Sequence, residues 1–157
     1  MERDRLIPYV HRRCHELATE GADAVVVLCA GAFPDMDCQV PVLIPGRILP
    51  GIVRALIPQG RRGRVGIITP VRGQIPAAEN KWRADGFDPV VVSASPFNHS
   101  EIETAAKVMA DPDLELVVLD CMGHSSEYKQ EFQRRTGHLV LLTSSTVARL
   151  AGELLGR

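Results

Sequence analysis

Two stretches of this chain carry the same short pattern, and each closes on a thiol. Residues 24–31 read Ala-Val-Val-Val-Leu-Cys-Ala-Gly, and residues 116–123 read Leu-Val-Val-Leu-Asp-Cys-Met-Gly. An apolar run of this kind, bounded by glycine, suits a parallel strand buried on both faces. Cys29 and Cys121 then stand at strand carboxyl ends, where open α/β sheets keep their ligands. Thiols at matched places in two similar units can face each other across one substrate. That arrangement suits moving a proton from one face of a carbon to the other.

The segments around the runs alternate in period. Leu6, Val10, Cys14 and Leu17 recur at helical spacing over 5–20, and Gly21 stops that helix. Strands are expected at 24–28, 40–44, 65–68, 90–92, 116–119 and 139–142. Helices are expected at 47–57, with Pro50 near the first turn, at 74–84, 99–110 and 127–136, and after a cap at Ser144 or Ser145. Strands alternating with helices predict an α/β fold with mainly parallel sheet. The fold class is therefore α/β, two similar parallel-sheet lobes with the first incomplete. The unit around Cys121 has leading strands at 65–68 and 90–92, and the unit around Cys29 has no counterpart to them. The division expected is an N-terminal half-lobe over 1–62, a C-terminal lobe over 63–143, and a last helix, 144–157, packing back on the first lobe.

Composition narrows the function classes. The net charge is −1, Arg61-Arg62-Gly63-Arg64 is the one basic run, and aromatic residues make up 4 % of the chain. A nucleic-acid partner is not expected from such a chain. The apolar runs are too short for a membrane span, and Met-Glu-Arg-Asp-Arg is too charged to open a signal peptide. The cysteines, Cys14, Cys29, Cys38 and Cys121, show no metal-ligand spacing. Reduced thiols in a cytoplasm, with no metal, are the expectation.

Each candidate residue carries two readings. Cys29 and Cys121 are general acid/base thiols or small buried hydrophobes. Gly31 and Gly123 let backbone approach a ligand and present N–H groups to a carboxylate. Thr69 and Ser93 end strands, where a hydroxyl binds ligand or serves a turn. His124 lies three residues past Cys121, where it tunes that thiol, binds substrate or sits at the surface. Asp120 alternates to the strand face opposite Cys121 and reads as structural. Cys38 reads as a loop thiol without a role.

At these residues the chain resembles the AroM family, within the aspartate/glutamate/hydantoin racemase superfamily. The resemblance runs through Leu28-Cys29-Ala30-Gly31-Ala32-Phe33-Pro34, Pro45-Gly46-Arg47-Ile48-Leu49-Pro50, Val65-Gly66-Ile67-Ile68-Thr69-Pro70, Leu119-Asp120-Cys121-Met122-Gly123 and Val147-Ala148-Arg149-Leu150-Ala151, in order and over nearly the whole chain. It implies two racemase-type lobes, one active-site cysteine from each, and no cofactor. It also aligns Ala30 with the asparagine that racemases usually carry after the first cysteine. Met122-Gly123-His124 stands where they carry threonine and histidine after the second. The family's N-terminal strand-and-helix region has no equivalent here.

The resemblance and the repeat together imply a thiol acid/base enzyme acting on a small carboxylate. Covalent attack by one cysteine, as in the superfamily's isomerase and decarboxylase relatives, is the enzymatic alternative. A non-catalytic small-molecule-binding or regulatory protein on the same scaffold is the reading from another class. A half-built first sheet leaves an apolar edge to cover, which predicts a homodimer through the first lobe. The other account is a fragment or a late start of the coding sequence.

Overall fold

The computed structural model describes residues 3–61, 63–98 and 100–156. Helix α1 (Arg3–Thr19) leads to strand β1 (Val25–Val26), which pairs in parallel with β2 (Val42–Leu43). Helix α2 (Pro45–Leu56) follows at once. Then come β3 (Arg64–Thr69), α3 (Ile75–Ala84), β4 (Asp88–Ser93), α4 (Ser100–Met109), β5 (Leu116–Leu119), α5 (Ser126–Thr136), β6 (Val140–Leu142) and α6 (Thr143–Leu154). The result is α/β with two parallel sheets, as the alternation of periods predicts. The sheets are a two-stranded β1-β2 and a four-stranded β4-β3-β5-β6. His99 and Arg62, within the expected helix 99–110 and the basic run, lie outside the described residues.

Side-chain alternation along the strands of the larger sheet builds two cores. Val65, Ile67, Leu116 and Val118 pack with Leu49 and Val53 of α2 and with Ala78 and Trp82 of α3. Ile68, Val117, Leu119, Val140 and Leu142 pack on the other face with α4 and α5, through Ile102, Met109, Tyr128 and Phe132. Runs that are apolar at every position have two faces to cover, and both are covered. A smaller cluster of Val27, Phe33 and Ile44, with Ile7 and Val10 of α1, fills the β1-β2 unit. Helix α2 thus follows the small sheet in sequence but buries its apolar side on the large one, and α6 lies against it.

Two helix starts differ from expectation. Pro45 holds the first turn of α2, and Pro50 falls inside the helix, where it has no N–H for the Gly46 carbonyl. Helix α6 begins at Thr143 with no side-chain cap. The hydroxyls there are spent elsewhere. Thr143 Oγ1 donates to the Leu119 carbonyl at 2.5 Å and Ser144 Oγ to the His124 carbonyl at 3.2 Å, tying α6 to the end of β5. None of the described helices is long and apolar enough to cross a membrane.

Candidate active site

The larger sheet has a topological switch point. From β3 the chain passes to β4 on one side, then returns to place β5 on the other. The crevice beyond the carboxyl ends of β3 and β5 is where such a sheet takes ligands. Thr69 ends β3 there, and Asp120 and Cys121 follow β5.

A cavity of about 610 Å³ opens at that point. Both Cys29 and Cys121 line it, so the sequence repeat delivers its two thiols to one space. Ala30, Gly31, Thr69, Met122 and Gly123 line it as well. Ser93 and His124 do not. Ser93 ends the edge strand β4, one strand away from the switch point. His124 is buried, with Nε2 3.1 Å from the Ala94 carbonyl and its ring 4.6 Å from that of Tyr128.

The meaning of Cys-x-Gly is local. The Gly31 N–H donates to Cys29 Sγ at 3.4 Å, and the Gly123 N–H donates to Cys121 Sγ at 3.3 Å. Each thiol is thus met by the amide two residues on, and at Cys121 that donor favours the thiolate. The environments otherwise differ. Cys29 is exposed to the cavity and Cys121 is half-buried. Burial pushes the Cys121 thiol pKa up; the Gly123 amide opposes this, and the charges of Asp120 and Cys29 reinforce it. Burial also pulls the pKa of His124 down, against its bonds to the Ala94 and Cys121 backbone and the charge of Asp120. The neutral ring carries its proton on Nε2, toward the Ala94 carbonyl.

Two charged residues line the cavity that the sequence did not single out as ligands. Lys81 of α3 and Asp120 form a buried ion pair, Nζ to Oδ2 2.6 Å, with side chains 7 % and 4 % exposed. The same Oδ2 accepts the Trp82 indole N–H at 3.0 Å, and Lys81 Nζ donates to the Ala30 carbonyl at 2.9 Å. Asp120 does alternate away from Cys121, toward α3, as strand geometry requires. Strand β5 ends at Leu119, so both side chains still border the same space.

The first cysteine's loop also lies against the start of α2. A Cβ on Gly46 would lie 2.2 Å from the Gly31 carbonyl oxygen, so only glycine lets the helix meet that backbone. The other two cysteines lie apart from the cavity: Cys14 is buried in α1, and Cys38 Sγ donates to the Cys14 carbonyl at 3.5 Å. Among the described residues, no three His, Cys, Asp or Glu side chains converge as metal ligands.

The family model described as "AroM protein" matches residues 1–155. No curated protein matches the chain. Among solved structures the chain is similar to an arylmalonate decarboxylase, at 19 % identity and a TM-score of 0.69, covering 92 % of this chain and 72 % of that one. It is similar also to the glutamate racemase from Aquifex pyrophilus, at 22 % identity and a TM-score of 0.59, covering 92 % of this chain and 64 % of that one. These likenesses establish a racemase-type fold.

Proposed function

The chain belongs to the AroM family, and we propose that it is a cofactor-independent racemase or isomerase working on a small carboxylate with Cys29 and Cys121. The observation that carries the reading is the pair of thiols lining one cavity at the switch point, each with a glycine amide on its sulfur. One thiolate takes the α-hydrogen as a proton, leaving the electron pair on the substrate. The opposing thiol gives its proton to the other face, and the thiols end with their protonation exchanged. Burial favours the protonated form at Cys121, which suits Cys121 to begin as the acid. Thr69, Ala30, Met122 and the backbone of Gly31 and Gly123 form the carboxylate's surroundings, the N–H groups of the two glycines being held by the sulfurs rather than offered to the carboxylate. Ser93 and His124, off the cavity, take no part.

Within this reading, residues 1–62 and 63–143 are the lobes that supply one thiol each, and 144–157 is a last helix on the first lobe; α2, which α6 contacts, buries its own apolar side on the large sheet. The protein works in a reducing cytoplasm as a homodimer that covers the short β1-β2 sheet. Light scattering at low concentration should give twice the chain mass, and a stable monomer would sink the dimer.

A second reading is a small-molecule-binding or regulatory protein on the same scaffold. It is favoured by the polar groups of the cavity, which are largely spent on one another: Lys81 on Asp120, and the Thr69 hydroxyl near the Val71 and Val92 carbonyls. Incubation in deuterium oxide with a panel of amino and hydroxy acids separates the two. Deuterium at the α-carbon is expected, with Cys29→Ser and Cys121→Ser each abolishing exchange from one enantiomer more than from the other. Absence of exchange with every carboxylate, alongside saturable binding of one, would leave the binding reading.

A further inference from the structure

We propose that Lys81 is a positioning residue whose ammonium clasps the two cysteine loops together and so sets the gap between the thiols. The proposal rests on the reading of Cys29 and Cys121 as a working pair. Its argument is the placing of one nitrogen. Lys81 Nζ reaches the carbonyl of Ala30, the residue after Cys29, at 2.9 Å. It reaches the carboxylate of Asp120, the residue before Cys121, at 2.6 Å. A single buried ammonium therefore joins the backbone beside one thiol to the side chain beside the other, across the space between the small and large sheets. The carboxylate is in turn fixed by the Trp82 indole, whose ring is fully buried in the core of the large sheet.

Stability alone does not account for this pair. Buried ion pairs repay their desolvation poorly, and apolar side chains of the same volume usually do as well. Here the cost is higher still, because Asp120 Oδ1 is buried with no partner among the described residues. A polar clasp retained at that cost, bridging the two loops that carry the thiols, fits a demand for geometry. Proton transfer at two faces of one carbon depends on the thiol spacing to a fraction of an ångström. Gly46 constrains the same stretch, since a Cβ there would lie 2.2 Å from the Gly31 carbonyl oxygen and 2.9 Å from that of Ala30.

The test measures the gap directly. A series of bis-methanethiosulfonates of increasing spacer length is reacted with the whole protein, and peptides are mapped by mass spectrometry. The native protein should join Cys29 to Cys121 over a narrow range of lengths. The variant Lys81→Met/Asp120→Asn removes both charges together and leaves Trp82 an acceptor. In that variant, with a cooperative melt retained, the product should spread over many lengths and fall severalfold at the best one. A purely structural pair would leave this profile unmoved, and an unchanged profile in the folded variant overturns the proposal. So does failure to join the two thiols at any length in the native protein. Should the double variant not fold, Lys81→Arg carries the test: its planar head sets the donors elsewhere, so the best length should shift, and an unshifted optimum overturns the clasp. No substrate enters the measurement. A negative exchange assay therefore removes the racemase reading and leaves the clasp, and an unchanged spacer profile does the reverse.

Discussion

Alanine at two glycines of the same helix, α2, should move stability in opposite directions. At Gly46 an added Cβ would lie 2.2 Å from the Gly31 carbonyl oxygen, 2.9 Å from that of Ala30 and 3.0 Å from the Gly31 carbonyl carbon. These are backbone atoms and cannot rotate away. Carbon–oxygen contacts relax to about 3.3 Å, so the Cys29 loop must withdraw by about 1 Å. Overpacking of this kind costs about 1–3 kcal/mol. Working against it, replacing glycine by alanine inside a helix gains about 0.5–1 kcal/mol. The clash wins, and Gly46→Ala should lose about 1–2 kcal/mol net. At Gly51 the added Cβ meets nothing within 4 Å. Only the helix term remains there, so Gly51→Ala should gain about 0.5–1 kcal/mol.

For a chain of this size each kcal/mol shifts the melting temperature by about 2–4 °C. Thermal melts followed by circular dichroism should therefore fall by about 2–8 °C for Gly46→Ala and rise by about 1–4 °C for Gly51→Ala. Because the displaced backbone includes the Ala30 carbonyl, the withdrawal would also disturb the Lys81–Ala30 bond, 2.9 Å in the native protein. Proteolysis or hydrogen exchange should accordingly show a loosened 29–31 loop in Gly46→Ala alone. If both variants melt above the native protein, the close approach of α2 to the Cys29 loop is not a constraint and the argument fails.

Two further changes probe the surroundings of Cys121. Asp120→Ala strands the Lys81 ammonium in a buried site and removes the acceptor of the Trp82 indole; urea unfolding should show a loss of about 3–5 kcal/mol, against a much smaller one for Lys81→Met/Asp120→Asn. His124 supplies a pH dependence with a definite sign. Burial lowers its folded pKa below the ordinary 6.5, so below that value the unfolded chain binds the proton that the folded chain refuses. The stability contributed by the neutral ring is present above the unfolded pKa and is lost as pH falls toward the folded one. Urea midpoints of the native protein should drop between about pH 7.5 and about pH 5.5, and His124→Gln should flatten that drop; an equal slope in both proteins would place the titration elsewhere.

The thiol pair was legible in the sequence because its signal is local. A run of apolar residues announces a strand, of four residues at Leu116–Leu119 but only two at Val25–Val26, which ends before Cys29. The glycine amides expected to face a carboxylate turn instead to the sulfurs two residues back. Element order was legible for the same reason, since periods of two and of 3.6 are properties of neighbouring residues. Lys81 was not legible, because its partners Ala30 and Asp120 are distant in sequence. A cue did exist: Lys81 lies three residues past Ala78 and beside Trp82, on the stripe of α3 that faces the sheet. A lysine on a buried stripe calls for a partner. The helix starts were misjudged where a hydroxyl had a tertiary use, as at Thr143 and Ser144, and no local rule anticipates that. His124 is drawn off the cavity by a bond to Ala94 and by the ring of Tyr128, again contacts made by the fold.

Gly31 separates the demands of folding from those of the site. Its φ is not positive, and an added Cβ would meet Cys29 Sγ at 3.4 Å and Phe33 Cε2 at 4.0 Å, ordinary contacts both. Nothing in the fold therefore requires glycine there, and restricting the unfolded chain should make Gly31→Ala neutral or stabilising by about 0.4–1 kcal/mol. The site gives a different answer. A carbon reacting at Cys29 must approach its sulfur to about 3–3.5 Å, and the new methyl would occupy that shell. Alkylation of Cys29 by iodoacetate, followed by mass spectrometry, should slow severalfold in Gly31→Ala while the melt holds or rises. Alkylation of Cys121 in the same sample supplies the internal reference, because its own glycine is unchanged. Equal rates at Cys29 in the two proteins would mean that ligands reach this sulfur from another direction, and that the glycine beside it guards nothing.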